Sequence, residues 1–387
     1  MVAPNKQAAT PDGGASPDRE SPSQSGRAGP FGENTLGYTT ETLEKHLADW
    51  RAAGGRADVA ETVEALAAGA RQLAAKIAIG PLLSEMGELT GNGGMDTAGG
   101  DQQKRLDLEA DTVFGASLRT SPVAVVGSEE QDEAQVLDAT RPLAVAIDPL
   151  DGSSNIDTNL SIGTIFAIFP VPASGTGRID TALLQPGREQ LAAGFFIYGP
   201  QTALVLTLRK GTHIFTLDPA TGHFHLTRAN VMVPEGRNEY AINASNYRHW
   251  PEAIRDYIDD LMAGVSGPRG KDFNMRWVAS MVAEAYRILA RGGIYLYPRD
   301  TRRGYENGRL RLVYEANPMS LLFEEAGGAA TDGVNRILDL VPTSLHQRVP
   351  FVFGSTDKVQ RVARYHMDAP TRQRSAPLFA ERGLFRL

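Results

Sequence analysis

The chain has 0 cysteines in 387 residues. Disulfides, thiolate metal ligation and thiol redox switching are therefore excluded. No uninterrupted apolar run is long enough to cross a bilayer. The first residues lack the hydrophobic stretch of a secretory signal, and Asp12, Asp18 and Glu20 argue against a transit sequence. The expected location is the cytoplasm, with no membrane partner. A basic field is missing as well: 39 Lys and Arg stand against 46 Asp and Glu, for a net charge of -7. That removes the electrostatic footprint of a nucleic-acid binder. An anionic substrate would have to be met by local arginines or by metal.

What is present reads as a soluble α/β protein. Residues 1–32 mix Pro, Gly, Ser and Ala with almost nothing to bury, and are expected to be a disordered tail. Two α/β domains are expected beyond it, 33–230 and 231–387. Helical spacing appears in "TLEKHLADW", with Thr40 or Thr42 as cap. It continues in a long Ala-rich run with Val59, Val63, Leu66, Ala70 and Leu73 on one stripe. "VAVVGSEE", "LAVAID", "IGTIFAIFPV", "LAAGFFIYG", "TALVLTL" and "GTHIFTL" read as strands. Past residue 230 helices and strands alternate. "MRWVASMVAEAYRILAR" reads as a helix, "RLRLVYEA" as a strand, and "NPMSLLFEEAGG" as a helix starting after Asn317-Pro318.

The stretch "AVAIDPLDGSSNID" carries the chemistry. A buried strand leads onto Asp148 and Asp151, which can face one point together with the Leu150 carbonyl. All three are hard oxygen ligands suited to Mg²⁺. Gly152 permits a tight bend, and the amides of Ser153 and Ser154 suit a phosphate. Asp-Pro and Asp-Gly are also ordinary turn dipeptides. Further acids stand at strand ends or loop edges: Glu129, Glu130 and Glu315, with Asp101 and Asp107 in "GDQQKRLD". Taken singly, each equally reads as a solvated surface acid. Taken jointly, convergence demands cations, because two carboxylates ~4 Å apart repel by about 4 kcal/mol at an effective dielectric near 20. Bound metals, a water and a phosphate cradle describe metal-assisted phosphoester hydrolysis. A second set offers amide, phenol and guanidinium groups that suit a sugar phosphate: Asn243, Tyr247, Arg276, Tyr297, Arg309 and Arg311. Tyr297 equally reads as a half-buried strand residue, and Arg276, taken as lying on a helix start, as a surface ion pair.

Together, "GDQQKRLD", "SEE", "DPLDGSSNID", "RWVASMVAEAYRIL", "GGIYLYP", "GRLRLVYEANP" and "DLVPTSLHQRVPFVFGS" resemble class I fructose-1,6-bisphosphatase, Calvin-cycle branch included. The resemblance runs from about Gly37 to Ser355. It implies a stacked α/β/α/β/α fold with two mixed sheets, a homotetramer, and Mg²⁺-dependent hydrolysis of fructose 1,6-bisphosphate to fructose 6-phosphate in gluconeogenesis or the Calvin cycle. It implies two or more Mg²⁺ per subunit, with Mn²⁺ as a substitute. Glu129, Asp148, the Leu150 carbonyl, Asp151 and Glu315 would be metal ligands, with Asp101 assisting a further metal. Asp107 and Glu130 would position and deprotonate the attacking water. Asp151, Gly152, Ser153 and Ser154 would hold the 1-phosphate. Asn243, Tyr247, Tyr297 and Arg309 would hold the sugar and 6-phosphate, and Arg276 would reach across from a neighbouring subunit. Rival readings are an inositol-phosphate-type phosphatase and a non-catalytic sugar-phosphate sensor.

Two departures from many relatives, Arg309 for Lys and Trp277 for Tyr, are compatible with sedoheptulose 1,7-bisphosphate as a further substrate. A third concerns AMP. Animal-type relatives use hydroxyls at a helix start and a Lys-Tyr pair, where this chain has "GGRADVAE" and Arg141-Pro142-Leu143. Activity titrated with AMP is therefore expected to show weak inhibition or none; strong inhibition at micromolar AMP would refute this.

Overall fold

Alternation of side chains along the strands explains how one chain builds stacked layers. The computed structural model describes residues 41–79, 105–172 and 181–367. Asp101 and the expected disordered tail lie outside the described residues. The first sheet consists of β1 (Val123–Ser128), β2 (Gln135–Val136), β3 (Leu143–Asp151), β4 (Ile162–Pro170), β5 (Ala192–Tyr198), β6 (Thr202–Thr207), β7 (Thr212–Leu217) and β8 (Phe224–Arg228). It is 8-stranded, in the order β2-β1-β3-β4-β5-β6-β7-β8. Only the β1–β3 pair is parallel. The second sheet contains β9 (Glu239–Ala241), β10 (Asn274–Met275) and β11 (Ile294–Tyr297). A two-stranded ribbon joins β12 (Leu310–Arg311) to β14 (Arg348–Val349). With β13 (Ala329–Thr331) and β15 (Phe351–Gly354), the 5-stranded order is β10-β9-β11-β15-β13.

The helices are α1 (Leu43–Ala52), α2 (Ala57–Ile79), α3 (Arg105–Arg119), α4 (Glu252–Met262), α5 (Met281–Arg291), α6 (Asn317–Glu325) and α7 (Thr356–Met367). Thr42 caps α1 by accepting the Lys45 N–H. The stripe Val59, Val63, Leu66, Ala70 and Leu73 of α2 is buried. It meets α3 and the Leu143, Val145, Ile147, Phe166, Phe196 and Phe215 side of the first sheet. The intervening residues Ile165, Phe195, Val205 and Ile214 point the other way, onto α5, α6 and the Tyr295, Phe351 and Phe353 side of the second sheet. Ile294, Leu296 and Val352 then face α4 and α7. This period of two is what a sheet buried on both faces requires. The result is an α/β/α/β/α stack. α6 is buried at every position from Asn317 to Phe323, as befits a helix between two sheets.

Three local expectations are corrected. α5 begins at Met281 rather than near Met275. Ala279 has φ +61 and Ser280 is an extended N-cap, so no helix passes through them. Arg276 instead follows the edge strand β10, its N–H on the Tyr240 carbonyl at 2.8 Å. The strand "RLRLVYEA" pairs only at Leu310–Arg311; Leu312–Ala316 winds as a π-helical turn that runs straight into α6 at Asn317. A short run of buried apolar residues fits either state equally, because burial on all sides erases the period. Last, "DPLD" does not lie beyond the strand: β3 continues through Pro149 to Asp151.

Gly163 of β4 permits the closest approach near these residues. A Cβ there would lie 2.2 Å from the Phe196 carbonyl and 2.6 Å from Val282 Cγ2, at the start of α5. Gly163→Ala is expected to destabilise the protein by about 1–3 kcal/mol, through overpacking of backbone that cannot yield. A thermal melt unchanged from the parent would contradict this.

Candidate active site

β1 and β3 run parallel, so their carboxyl ends share one sheet edge, where open α/β sheets place ligands. The Glu129 N–H donates to the Ile147 carbonyl at 3.0 Å, which seats the turn after β1 beside Asp148. From above, the π turn brings in Glu315. One oxygen from each of Glu129, Asp148 and Glu315 lies within 4.8 Å of the others. Asp148 is 5% exposed and Glu315 6%.

Asp151 joins them through an irregularity in β3. Side chains three residues apart normally face opposite sides of a strand. Here Asp148 pairs with Ile165 but Asp151 with Gly163, so β3 holds one additional residue opposite β4. Such a bulge returns both carboxylates to one side. The bulge's Pro149 carbonyl accepts from Thr164 Oγ1 at 2.8 Å.

Backbone amides hold three of the acids, and Arg311 faces the fourth. Leu150 N–H donates to Asp148 Oδ1 at 3.0 Å. Arg311 N–H donates to Glu315 Oε2. Asp151 Oδ2 accepts from Val282 N–H at 3.0 Å and Ser280 Oγ at 3.2 Å. Arg311 Nε lies 3.4 Å from Glu129 Oε1. Even so, burial pushes every member upward. Glu129 rises to about 7, by burial first, opposed by Arg311 and aided by Glu130 and Asp151. Asp151 rises to about 6 through burial, against its two hydrogen-bond donors. Asp148 and Glu315 are raised well above the carboxylate range, by burial and then by Glu129. Without a cation such a cluster must bind protons; with a divalent cation it would ionise. The donor set, all carboxylate oxygen, fits a hard metal.

Glu130 follows Glu129 in the same turn, beside the cluster; Asp107 is buried in the first turn of α3. Gly152 has φ +79, a left-handed conformation, and opens a 3-10 turn over Ser153–Thr158. The first amides of such a turn have no partner within it. Asn243, Tyr297 and Asp300 line one small recess. Arg309 stands beside Tyr297 and donates to Tyr305 Oη at 3.1 Å. Tyr247 Oη donates to Asp259 at 2.8 Å. Arg276 stands apart: its side chain is 56% exposed, with Nε 4.0 Å from Glu239 Oε1. One site residue escaped sequence reasoning: Ser280, which orients Asp151, had the signal of a serine just before an apolar period. Arg311, expected among the groups that suit a sugar phosphate, instead stands against Glu129.

The description "Fructose-1-6-bisphosphatase, N-terminal domain" matches residues 43–229, and "Fructose-1-6-bisphosphatase, C-terminal domain" matches 233–367. The chain belongs to the fructose-1,6-bisphosphatase family. Class 1 fructose-1,6-bisphosphatases of Sinorhizobium medicae and Rhizobium meliloti are each 54% identical to it, over 89% of this chain and 99% of theirs. The crystal structure of Leishmania major fructose-1,6-bisphosphatase in holo form superposes with a TM-score of 0.78 at 33% identity, covering 85% of this chain and 100% of that one. Membership of the fructose-1,6-bisphosphatase family makes the chain a phosphoric monoester hydrolase of carbohydrate metabolism, and its acidic cluster suits a divalent metal.

The raised carboxyls set a pH dependence. A carboxyl whose folded pKa exceeds its unfolded value makes the fold bind more protons than the unfolded chain. For Glu129 that stability is full below its ordinary 4.5 and is lost as pH rises through about 7. A divalent cation held by the cluster would reverse the loss. The rise in Tm on adding Mg²⁺ is thus expected to be larger at about pH 8 than at about pH 5.5; equal shifts would show that the cluster is not where the ion binds.

Proposed function

We propose that the chain hydrolyses the 1-phosphate of D-fructose 1,6-bisphosphate, releasing fructose 6-phosphate and phosphate, with Mg²⁺ as its metal and Mn²⁺ as a substitute. The observation that carries this reading is the carboxylate trio converging within 4.8 Å beside the Gly152 turn. Glu129, Asp148, the Leu150 carbonyl, Asp151 and Glu315 hold metal, and Asp101 assists a further one. When bound, the metals neutralise phosphoryl charge and lower the pKa of a bound water.

The remaining work falls to the protein's own groups. Amides of Gly152, Ser153 and Ser154 bind the 1-phosphate oxygens. Asp107 and Glu130 orient the attacking water and take its proton as the oxygen–phosphorus bond forms. The bond from phosphorus to the sugar O1 breaks in line. Tyr297 and Arg309 face the far end of the sugar, with guanidinium matched to the 6-phosphate. Asn243 and Tyr247 meet hydroxyls. An inositol monophosphate would leave the Tyr297–Arg309 pocket unused. The exposed guanidinium of Arg276 reaches into a neighbouring subunit's site, in a homotetramer. Trp277, stacked on Tyr295 with ring centroids 5.9 Å apart, replaces a phenol and widens the preference to sedoheptulose 1,7-bisphosphate. No helix among the described residues is long and apolar enough to cross a membrane; the enzyme works in the cytoplasm.

Phosphate release from both bisphosphates, with and without Mg²⁺, tests the reading; no release from either ends it. Asp148→Asn separates site from scaffold. It removes one repelling charge, so the metal-free variant is expected to melt above the parent near pH 8, while kcat/KM falls by roughly 10²–10⁴-fold. Retained activity would remove Asp148 from the site.

A further inference from the structure

Between β10 and α5 the chain runs Arg276-Trp277-Val278-Ala279-Ser280 without regular structure. Ala279 adopts φ +61, a conformation that penalises any residue bearing a Cβ. Such strain persists only where the surroundings over-determine it. They do so here. Arg276 N–H donates to the Tyr240 carbonyl at 2.8 Å. Val278 N–H donates to Glu284 Oε1 at 2.8 Å. Asn155 Nδ2 donates to the carbonyls of Val278 and Ala279, at 3.2 and 3.3 Å. Ser280 Oγ donates to Asp151 Oδ2 at 3.2 Å and caps α5.

Behind the segment lies a buried ion triad. Arg287 Nη2 and Nε donate to Glu284 Oε2 at 2.7 and 3.0 Å. Its Nη1 donates to Glu239 Oε2 at 2.9 Å. Glu284 is 0% exposed and Glu239 1%. The other oxygen of Glu239 accepts from Arg237 at 2.8 Å and stands 4.0 Å from Arg276 Nε. The triad thus touches the segment at Arg276 and at Val278, while the segment's far end touches Asp151. Buried ion pairs contribute little net stability compared with apolar packing. What they supply is direction, because a guanidinium fork admits few geometries.

We propose that Arg287, Glu284 and Glu239 are positioning residues: they lock the 276–280 segment in its strained form, and so set the metal-side carboxylate Asp151 and the phosphate-side Arg276 relative to one another. The proposal rests on the roles given above to Asp151 and Arg276, and deepens them. One strut then serves the metal end of its own site and the phosphate end of a neighbour's, and across the tetramer loosening it degrades metal binding and sugar-phosphate binding together.

The test compares Glu284→Ala with Glu284→Gln in the full chain. Three quantities are read: the Kd of fructose 6-phosphate without metal, the Mg²⁺ concentration giving half the maximal rise in Tm, and the split between KM and kcat. Misplacement of this kind is expected to weaken both binding constants about tenfold in Glu284→Ala, with KM raised more than kcat is lowered. In Glu284→Gln, whose amide oxygen still accepts the Val278 N–H, both are expected to stay within about threefold of the parent. Asn155→Ala frees the segment from its opposite flank and reads the same two constants if Glu284→Ala fails to fold. A lowered Tm with both constants unchanged makes the triad merely structural and overturns the proposal. Movement of only one constant overturns the coupling. A parent enzyme that releases no phosphate defeats the bisphosphatase reading instead, and the Mg²⁺ arm still decides the strut.

Discussion

Mutual repulsion among buried carboxylates is the constraint around which this molecule is arranged. Glu129, Asp148 and Glu315 each have their proton affinity raised by neighbouring carboxylates, Asp151 among them, on top of burial, while Asp151 itself is raised by burial. A chain free to relax would let them part. Here it cannot, because Asp148 and Glu315 are tied to backbone amides, Asp151 to the start of α5 and Glu129 to Arg311, while β3, which carries both aspartates, is buried on both faces. The stack supplies the rigidity, and a divalent cation held there would supply the missing charge, adding its binding free energy to the stability of the fold.

The site sits where it does for topological reasons. The single parallel pair in an otherwise antiparallel sheet aligns the ends of β1 and β3 at one edge. The bulge in β3 turns an ordinary three-residue spacing into two carboxylates on one side. Gly163 lets α5 approach that edge, and α5 delivers Ser280 and the Val282 amide to Asp151. The π turn at Leu312–Ala316 swings Glu315 in from the layer between the sheets. None of these devices adds chemistry. Each aims a side chain, and irregular backbone is a common way for functional sites to do so.

On the substrate side the problem is reversed. A chain of net charge -7 must accept a polyanion. Its arginines offer the local cations for that: Arg309 stands beside Tyr297, Arg311 against Glu129, and Arg276 apart and exposed. Arg287 is spent differently, on two buried glutamates that shape the segment carrying Arg276.

The stacked layering was implied by the family resemblance, while from the pattern of the sequence came the mixed α/β class, the apolar stripe of α2, the long strands of the first sheet and the acids as a candidate set. These depend on period, composition and turn chemistry, which are local and additive along the chain. The stretch Leu312–Ala316 and the start of α5 were misread, because full burial hides the period and because Ala279 carries no mark of its left-handed conformation. Convergence was equally out of reach: whether Glu129, Asp148 and Glu315 meet depends on which strands pair, in which direction and with what bulge. Strand direction, register and burial are properties of contacts between distant residues, so they alone decided that scattered acids become one site.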